Sequence, residues 1–206
     1  MMSTSPKRVL LASRSPRRRE LLRQIGVAFE VLPWRAPPRA DPALDETPQT
    51  GELARDYVSR IARTKAEFGD RILGLRRLPP AIVLAADTVV DVDGDVLGKP
   101  RDASDAEAML ARLSGREHQV RTAIALAWNG VLHSAESVST VRFCHIDPSE
   151  IRRYALTGEP LDKAGAYAIQ GYAAVFVEWL SGSYSGVMGL PLFELAALLR
   201  RVGYPV

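Results

Sequence analysis

The stretch Val9-Leu10-Leu11-Ala12-Ser13-Arg14-Ser15-Pro16-Arg17-Arg18-Arg19-Glu20-Leu21-Leu22 decides how this chain folds. Its apolar run from Val9 to Ala12 predicts a short buried strand. Ser15 followed by Pro16 predicts the start of a helix, because a serine oxygen can accept from a free N–H of the first turn and proline needs no partner there. The stretch is therefore predicted to be a strand that turns directly into a helix, whose buried face contains Leu21, Leu22 and Ile25.

This strand-to-helix junction is a candidate phosphate site. The N-terminus of a helix has unpaired N–H groups and the positive end of the helix dipole, and both attract anions. The surrounding side chains add further donors: Ser13, Arg14, Ser15, Arg17, Arg18 and Arg19. A capped surface helix with a solvated basic first turn is the alternative. Arginines at that position oppose the helix dipole, however, which favours a functional reason for them.

The composition is that of one globular unit, so we expect residues 1–206 to form a single domain. The chain is 47% hydrophobic, and its net charge of +3 comes from basic and acidic residues that are interspersed, so no nucleic-acid partner is expected. The one cysteine, Cys144, excludes an internal disulfide and favours a cytoplasmic location. Because no apolar run approaches the ~18 residues of a membrane span, no membrane partner is expected.

Hydrophobic patterns along the rest of the chain predict alternating strands and helices. Residues 29–32 form a second predicted strand, a proline-rich loop covers 34–50, and helical spacing covers 51–68. The continuous apolar run 81–86 predicts a central strand buried on both faces, which ends at Asp87-Thr88 and is followed by a separate strand at 89–92.

Two dipeptides in the middle of the chain predict hairpins, so antiparallel pairing should be mixed into the sheet. Asp93-Gly94 would join short strands, and Asn129-Gly130 would join two long strands within residues 118–144. Towards the C-terminus we expect a loop that frames a pocket, a strand, a turn and a closing helix, at 158–172, 174–180, 181–183 and 191–202.

Asp87 is the sharpest candidate for chemistry. Ligands gather at the C-terminal ends of strands in open α/β sheets, and a carboxylate at that position can bind a divalent metal or have its pKa raised. The other charged candidates are Glu46, Asp91, Asp162, Lys65, Lys99 and Lys163. For Glu46 and Lys65 the ordinary alternatives are an exposed turn and a helix surface. Together with the phosphate site, Asp87 predicts metal-assisted attack on a phosphorylated small molecule.

Several linked motifs resemble those of the Maf-like nucleoside triphosphate pyrophosphatases, in the same order over nearly the whole chain. They are Ser13-Arg14-Ser15-Pro16-Arg17-Arg18, Ala86-Asp87-Thr88-Val89-Val90, Gly98-Lys99-Pro100, His118-Gln119-Val120, Asp162-Lys163-Ala164-Gly165-Ala166-Tyr167 with Ile169-Gln170-Gly171, and Gly189-Leu190-Pro191-Leu192. The resemblance implies a two-lobed, mixed-sheet α/β fold with a substrate groove between the lobes. It also implies a homodimer, a divalent metal (Mg²⁺ or Mn²⁺) and hydrolysis of a nucleoside triphosphate to the monophosphate and pyrophosphate.

Within this family, Lys163 to Tyr167 followed by Ile169-Gln170-Gly171 resembles the branch that acts on dTTP and UTP. The branch that acts on 7-methyl-GTP typically carries a glutamate near Gln170 and is one alternative. A nucleotide- or nucleic-acid-binding division regulator is another, because the first helix is basic. One departure from the family pattern is Ala123, which follows Thr122 where a glycine is usual.

The resemblance also implies roles for individual residues. Asp87 would be the general base and, with Glu46, a metal ligand. The other positions would all bind the substrate. Those that would determine base specificity are Arg17, Thr88 and Gln170, and the others are Ser13, Arg18, Lys65 and Lys99.

Overall fold

A mixed seven-stranded sheet organises the protein. The structure is a computed structural model that describes residues 7–32 and 44–206. The strands are β1 Val9–Leu11, β2 Glu30–Val31, β3 Ile82–Val92, β4 Asp95–Leu97, β5 Glu117–Trp128, β6 Val131–Phe143 and β7 Val177–Ser181. The helices are α1 Pro16–Gln24, α2 Ala54–Leu75, α3 Ala103–Leu113, α4 Pro148–Ala155, α5 Tyr184–Met188 and α6 Leu192–Arg201, and 3₁₀ turns cover Glu159–Asp162, Ala164–Ala166 and Tyr172–Phe176.

The strand order is β2-β1-β3-β5-β6-β7, and β4 pairs with the far end of β3. β1 is parallel to β2 and β3, whereas the remaining pairs are antiparallel, so the predicted mixed sheet is confirmed. The predicted hairpins are also confirmed. Asp93-Gly94 and Asn129-Gly130 all have positive φ, which is the conformation that a tight two-residue hairpin requires.

The fold has two lobes that share β3, β5 and β6. In the first lobe, α2 packs on one face of the sheet, while α1 and α6 pack on the other. In the second lobe, α3, α4 and the 3₁₀ segments pack around the far ends of the shared strands. The groove that the resemblance implied lies between these lobes, where residues from both line one cavity.

The predicted start of α1 is confirmed in detail. Ser15 is the N-cap, and its Oγ accepts the Arg18 backbone N–H at 3.4 Å, while Pro16 is the first helical residue. Leu21 and Leu22 are buried against the sheet, and Gly26 has φ of +68° where the chain leaves the helix. A cap residue, a proline and a terminal glycine are therefore sufficient to define this helix.

The prediction that the central strand ends at Asp87-Thr88 is wrong. β3 continues through these residues to Val92, because β5 pairs with it without interruption from Val83–Ala127 to Asp91–Gln119. Ala123, which replaces the glycine usual in the family, lies opposite Asp87 in this regular ladder and is buried. Asp87 and Thr88 therefore interrupt the apolar run of the sequence but not the backbone pairing of the strand.

Two other boundaries differ from the prediction, and one helix is an addition to it. α2 extends to Leu75, well beyond residue 68, because Ile72 and Leu73 continue its buried face. β7 begins at Val177, after a 3₁₀ turn that occupies Tyr172–Phe176. α5 was not predicted at all. The proline-rich loop lies partly outside the described residues, and its described part, 44–50, has no helix or strand. No helix within residues 7–32 and 44–206 is long and apolar enough to cross a membrane.

His118 is a buried titratable group in the core of the second lobe. Its Nε2 lies 2.9 Å from the Tyr167 hydroxyl, and its ring packs edge-on against Phe143 at 5.0 Å. Its Nδ1 has no hydrogen-bond partner in the part of the chain that the structure describes. Burial lowers the pKa of His118 from 6.5 to about 4, because a charged imidazolium would lose its hydration there.

We predict that acid destabilises the protein through His118. Between pH 6.5 and about 4 the unfolded histidine is protonated and the folded one is not, so unfolding takes up a proton. This group should therefore lower the free energy of unfolding by about 1.4 kcal/mol for each pH unit below 6.5, and should contribute nothing to the slope above that pH. Urea denaturation from pH 4 to 8 measures the slope. His118→Gln should flatten it in the acid range only, and equal slopes in the two proteins would contradict the assignment.

Candidate active site

A cavity of about 650 Å³ lies in the groove between the lobes. Every residue to which the family resemblance gave a role lines it. The first lobe contributes Ser13, Arg17, Arg18, Glu46 and Lys65, and the shared strand and second lobe contribute Asp87, Thr88, Lys99 and Gln170. The cavity therefore brings these residues together, and their roles in binding and chemistry stay predictions.

The cavity is open because β3 has a free edge. β1 pairs with β3 only as far as Leu11–Leu84, and β4 joins the same edge only from Val90–Leu97 onwards. Between these two pairs, no described strand covers that edge of β3. Asp87 and Thr88 lie in this gap, and because successive side chains of a strand point to opposite faces, the cavity reaches both faces of the sheet around its edge.

On the α2 face, Asp87 and Glu46 converge on one cation. Lys65 Nζ lies 2.9 Å from Asp87 Oδ1 and 3.0 Å from Glu46 Oε2. The side chains of Lys65 and Asp87 are only 15% and 14% exposed, whereas that of Glu46 is 51% exposed. Lys65 is thus turned towards the cavity and is not a solvated helix-surface lysine. Its charge and its hydrogen bonds hold the Asp87 carboxylate in one position.

Tyr57 responds to the same two carboxylates. Its hydroxyl donates to the backbone oxygen of Glu46 at 2.9 Å, which anchors the segment that carries Glu46 to α2. Burial, together with the negative charges of Asp87 and Glu46, raises the pKa of Tyr57 to about 12. This tyrosine is therefore a neutral positioning contact at any physiological pH.

The carboxylates of Glu46 and Asp87 are the residues that could hold a divalent metal. Two carboxylate oxygens already meet at one positively charged point, and hard oxygen ligands of this kind suit Mg²⁺, which is often bound by one or two carboxylates together with water and substrate phosphates. No cluster of three Asp, Glu, His or Cys side chains suited to a metal occurs within residues 7–32 and 44–206. The donor set therefore fits a metal that is shared with the substrate.

On the opposite face, Arg18 joins three separate elements. Its Nε donates to Gly189 O at 2.8 Å, its Nη1 to Ser13 Oγ at 3.1 Å and its Nη2 to Thr88 Oγ1 at 3.2 Å. Burial lowers the pKa of Arg18, and the nearby Asp87 carboxylate opposes this effect, but a guanidinium stays charged in either case. Arg18 is therefore a half-buried, oriented cation at the cavity wall.

The predicted phosphate site at the start of α1 is present, with one correction. Ser13, Arg14, Ser15, Arg17 and Arg18 all line the cavity, and the Ser15 backbone N–H is held by Ser13 Oγ at 3.2 Å. Arg19 does not line it, because the next position on a helix is rotated by about 100° away from its neighbour. Its Nε is instead buried without a partner among the residues that the structure describes.

The second lobe closes the groove with charged side chains. Arg17 Nη1 lies 3.2 Å from Asp162 Oδ2, and this ion pair joins α1 to the 3₁₀ turn Glu159–Asp162. Burial alone would raise the pKa of Asp162, but hydrogen bonds and charge from Lys163 and Arg17 lower it below its ordinary value. Lys99 and Gln170 are exposed and make no hydrogen bond or ion pair within 7–32 and 44–206, so both are available to a ligand.

The lining of the cavity differs from the sequence-based candidates at two places. Asp91 does not line the cavity. It lies 3.5 Å from Arg121 and accepts the Gly94 backbone N–H at 3.1 Å, which is a turn contact. Conversely, Val187 and Met188 of α5 line the cavity but were not predicted, since only the following Gly189-Leu190-Pro191-Leu192 motif pointed to this region.

Comparisons with known proteins agree with this architecture. The family model described as Maf-like protein matches residues 8–202. A dTTP/UTP pyrophosphatase of Aromatoleum aromaticum is 58% identical over 200 residues, which cover 97% of each chain. A dTTP/UTP pyrophosphatase of Bordetella parapertussis is 54% identical and covers 100% of this chain and 97% of the relative. One of Nitrosomonas europaea is 51% identical and covers 100% of both chains.

One solved structure shares the fold at low sequence identity. The Staphylococcus aureus Ham1 protein superposes with a TM-score of 0.52 at 15% identity, and the match covers 95% of this chain and 100% of that chain. The likeness therefore concerns the backbone arrangement alone.

We predict that Arg18 and its neighbour Arg17 differ sharply in their tolerance of lysine. Arg18→Lys should lower the free energy of unfolding by about 2 kcal/mol, because one ammonium cannot reach Gly189, Ser13 and Thr88 together and leaves buried acceptors unpaired. Arg17→Lys should cost less than about 1 kcal/mol, because its partner Asp162 is largely exposed. Urea denaturation of both variants measures the difference, and equal losses would contradict it.

Proposed function

The chain belongs to the Maf-like protein family, as its motifs predicted, and we propose that it hydrolyses dTTP and UTP to the nucleoside monophosphate and pyrophosphate. The observation that carries the proposal is the combination found in one cavity. The basic N-terminus of α1 offers a triphosphate site, and the Asp87 carboxylate is held beside it by Lys65 at 2.9 Å. The names of full-length relatives at 51% to 58% identity support the same reaction and substrates.

In the proposed mechanism, the triphosphate lies against the first turn of α1. Arg18 uses three of its five N–H groups within the protein, so the other two remain for phosphate oxygens. Lys65 and Lys99 also line the cavity and would neutralise the charge that develops on the leaving pyrophosphate. The same positive groups would bind the ground-state substrate.

Asp87 acts as the general base in this proposal. It accepts a proton from a water molecule whose oxygen attacks the α-phosphorus, while the bond between that phosphorus and the bridging oxygen of the β-phosphate breaks. Lys65 keeps the carboxylate oriented towards the cavity. Glu46 and Asp87 would hold Mg²⁺ or Mn²⁺, which when bound would neutralise phosphate charge.

Three further expectations from the sequence stay predictions: that the chain is a single domain, that it is cytoplasmic and that it works as a homodimer. The cavity itself supports a nucleotide ligand through its cationic wall, and a divalent metal through its two carboxylates.

We predict that Asp87→Asn lowers the turnover of dTTP by about 10²- to 10⁴-fold, because the amide keeps the shape of the carboxylate but cannot take the proton. Pyrophosphate release measures turnover, and calorimetric titration with dTTP should give a dissociation constant within about threefold of the original, since the cationic wall that binds phosphates is unchanged. Asp91→Asn makes the same chemical change on the same face of β3 outside the cavity and should leave turnover unchanged. Release of pyrophosphate by Asp87→Asn at the original rate would overturn the mechanism.

Gln170 should determine part of the base preference. Its amide has an acceptor and two donors, so it can pair with both the N3–H and a carbonyl of thymine or uracil, whereas a glutamate offers acceptors only. We expect the protein to prefer dTTP and UTP to CTP and the purine triphosphates, and Gln170→Glu to reduce that lead by about tenfold in kcat/KM.

A panel of triphosphates, assayed with the original protein and the variant, measures this preference. Gln119→Glu is the matched control, because its amide contacts Arg121 away from the cavity. An unchanged ranking in Gln170→Glu would remove the base-reading role, and a preference of the original protein for 7-methyl-GTP would favour the alternative branch.

A further inference from the structure

Thr122 lies immediately behind the cavity wall without lining it. It sits on β5 opposite Thr88, and the two hydroxyl oxygens are 2.9 Å apart. The residue is 0% exposed, so its hydroxyl cannot reach a ligand or solvent. Its second contact is the backbone oxygen of Gly186 in α5, at 2.7 Å. This buried hydroxyl therefore links the cavity residue Thr88 to a short helix that the sequence did not predict.

The direction of each hydrogen bond in this series, which we call the relay, follows from counting hydroxyl protons. A carbonyl oxygen only accepts, so Thr122 must donate its single hydroxyl proton to the backbone oxygen of Gly186. Between the two threonines, Thr88 must then be the donor. A guanidinium only donates, so Thr88 Oγ1 accepts from Arg18 at 3.2 Å. The relay therefore runs in one direction, from Arg18 to Thr88 to Thr122 to Gly186.

Within this relay the Thr88 hydroxyl keeps only one hydrogen-bonding position free. A hydroxyl has one proton and two lone pairs, and here the proton and one lone pair are already used. Only a lone pair remains for a cavity occupant. We propose that Thr122 is a positioning residue that makes the Thr88 hydroxyl a pure acceptor, so that Thr88 selects nucleotides that present a hydrogen-bond donor to it.

This inference rests on the proposed function and adds one property to it, the polarity that Thr88 requires of the substrate. Two hydrogen-bond donors are common to dTTP and UTP. One is the N3–H of the base, which cytosine lacks at that position and which Thr88 would share with Gln170, and the other is the 3′-hydroxyl of the sugar. A substrate that offers an acceptor at this point would place two lone pairs against each other and bind more weakly.

Thr122→Val tests the relay because valine has nearly the shape of threonine but no hydroxyl. In this variant the Thr88 proton loses its acceptor and can turn towards the cavity, so Thr88 becomes able to donate as well as accept. Gly186 O keeps a partner in the backbone N–H of Gly189 at 2.9 Å. Thr122→Ser is the matched control, since it keeps the hydroxyl and the relay but removes a buried methyl group.

Two ratios of kcat/KM measure the selection. The ratio for UTP over CTP reports on the base N3–H, and the ratio for dTTP over 2′,3′-dideoxythymidine triphosphate reports on the sugar hydroxyl. We expect one of them to fall by about threefold to tenfold in Thr122→Val and to stay unchanged in Thr122→Ser. The ratio that falls identifies the donor. Urea denaturation of both variants, which should each lose some stability, separates this effect from a general loosening of the fold.

A double variant shows whether Thr122 acts through Thr88. In a Thr88→Val background, which has no hydroxyl to orient, adding Thr122→Val should move neither ratio further. The inference is overturned if both ratios keep their original values in Thr122→Val, if Thr122→Ser shifts them equally, or if the shift persists in the double variant.

Binding measurements keep this test separate from the proposed hydrolysis. Absence of pyrophosphate release by the original protein would contradict the proposed function alone. The same ratios can be measured as dissociation constants by calorimetry on Asp87→Asn, with and without Thr122→Val, where no turnover is needed. A shift in those ratios supports the relay, and constant ratios overturn it.

Discussion

The difference in length between two neighbouring strands creates the cavity of the candidate active site. β1 has three residues and β3 has eleven, so a stretch of β3 loses its partner in the middle of the sheet before β4 covers the edge again. Asp87 and Thr88 lie in that stretch and point to opposite faces. The carboxylates and Lys65 therefore collect on one face, while Arg18 and the two threonines collect on the other. One ligand lying around the edge can contact both sets, which a continuous sheet would keep apart.

The parts of the fold that depend on a few adjacent residues were predictable from the sequence. Ser15-Pro16 and Asn129-Gly130 define their local backbone, and the structure has a helix start and a hairpin there. The end of the central strand was not predictable in this way, because Asp87-Thr88 interrupts the apolar run but β5 supplies the pairing from a distant part of the chain. α5 has five residues with Gly186 among them, which is too short for a hydrophobic period to appear.

For the site, the sequence indicated which residues share the cavity but not which of them are in contact. The roles that the family resemblance implied all fall on residues that line the cavity. The motifs did not show which residues touch. Lys65 has the spacing of a helix-surface residue, and only the packing of α2 on β3 turns it towards Asp87. The contacts of Arg18 with Gly189, and of Thr122 with Gly186, join segments far apart in sequence, so no local pattern contains them.

The strands shared by the two lobes also limit how the groove can move. The ladder between β3 and β5 is unbroken from Val83–Ala127 to Asp91–Gln119, and it continues into β6. A hinge between the lobes would have to break these backbone hydrogen bonds, so any opening of the groove requires the shared strands to bend. The groove is mechanically a stiff slot whose width changes only as far as the sheet bends. We therefore expect access to depend on side chains at the groove opening, where the ion pair between Arg17 and Asp162 joins the two lobes.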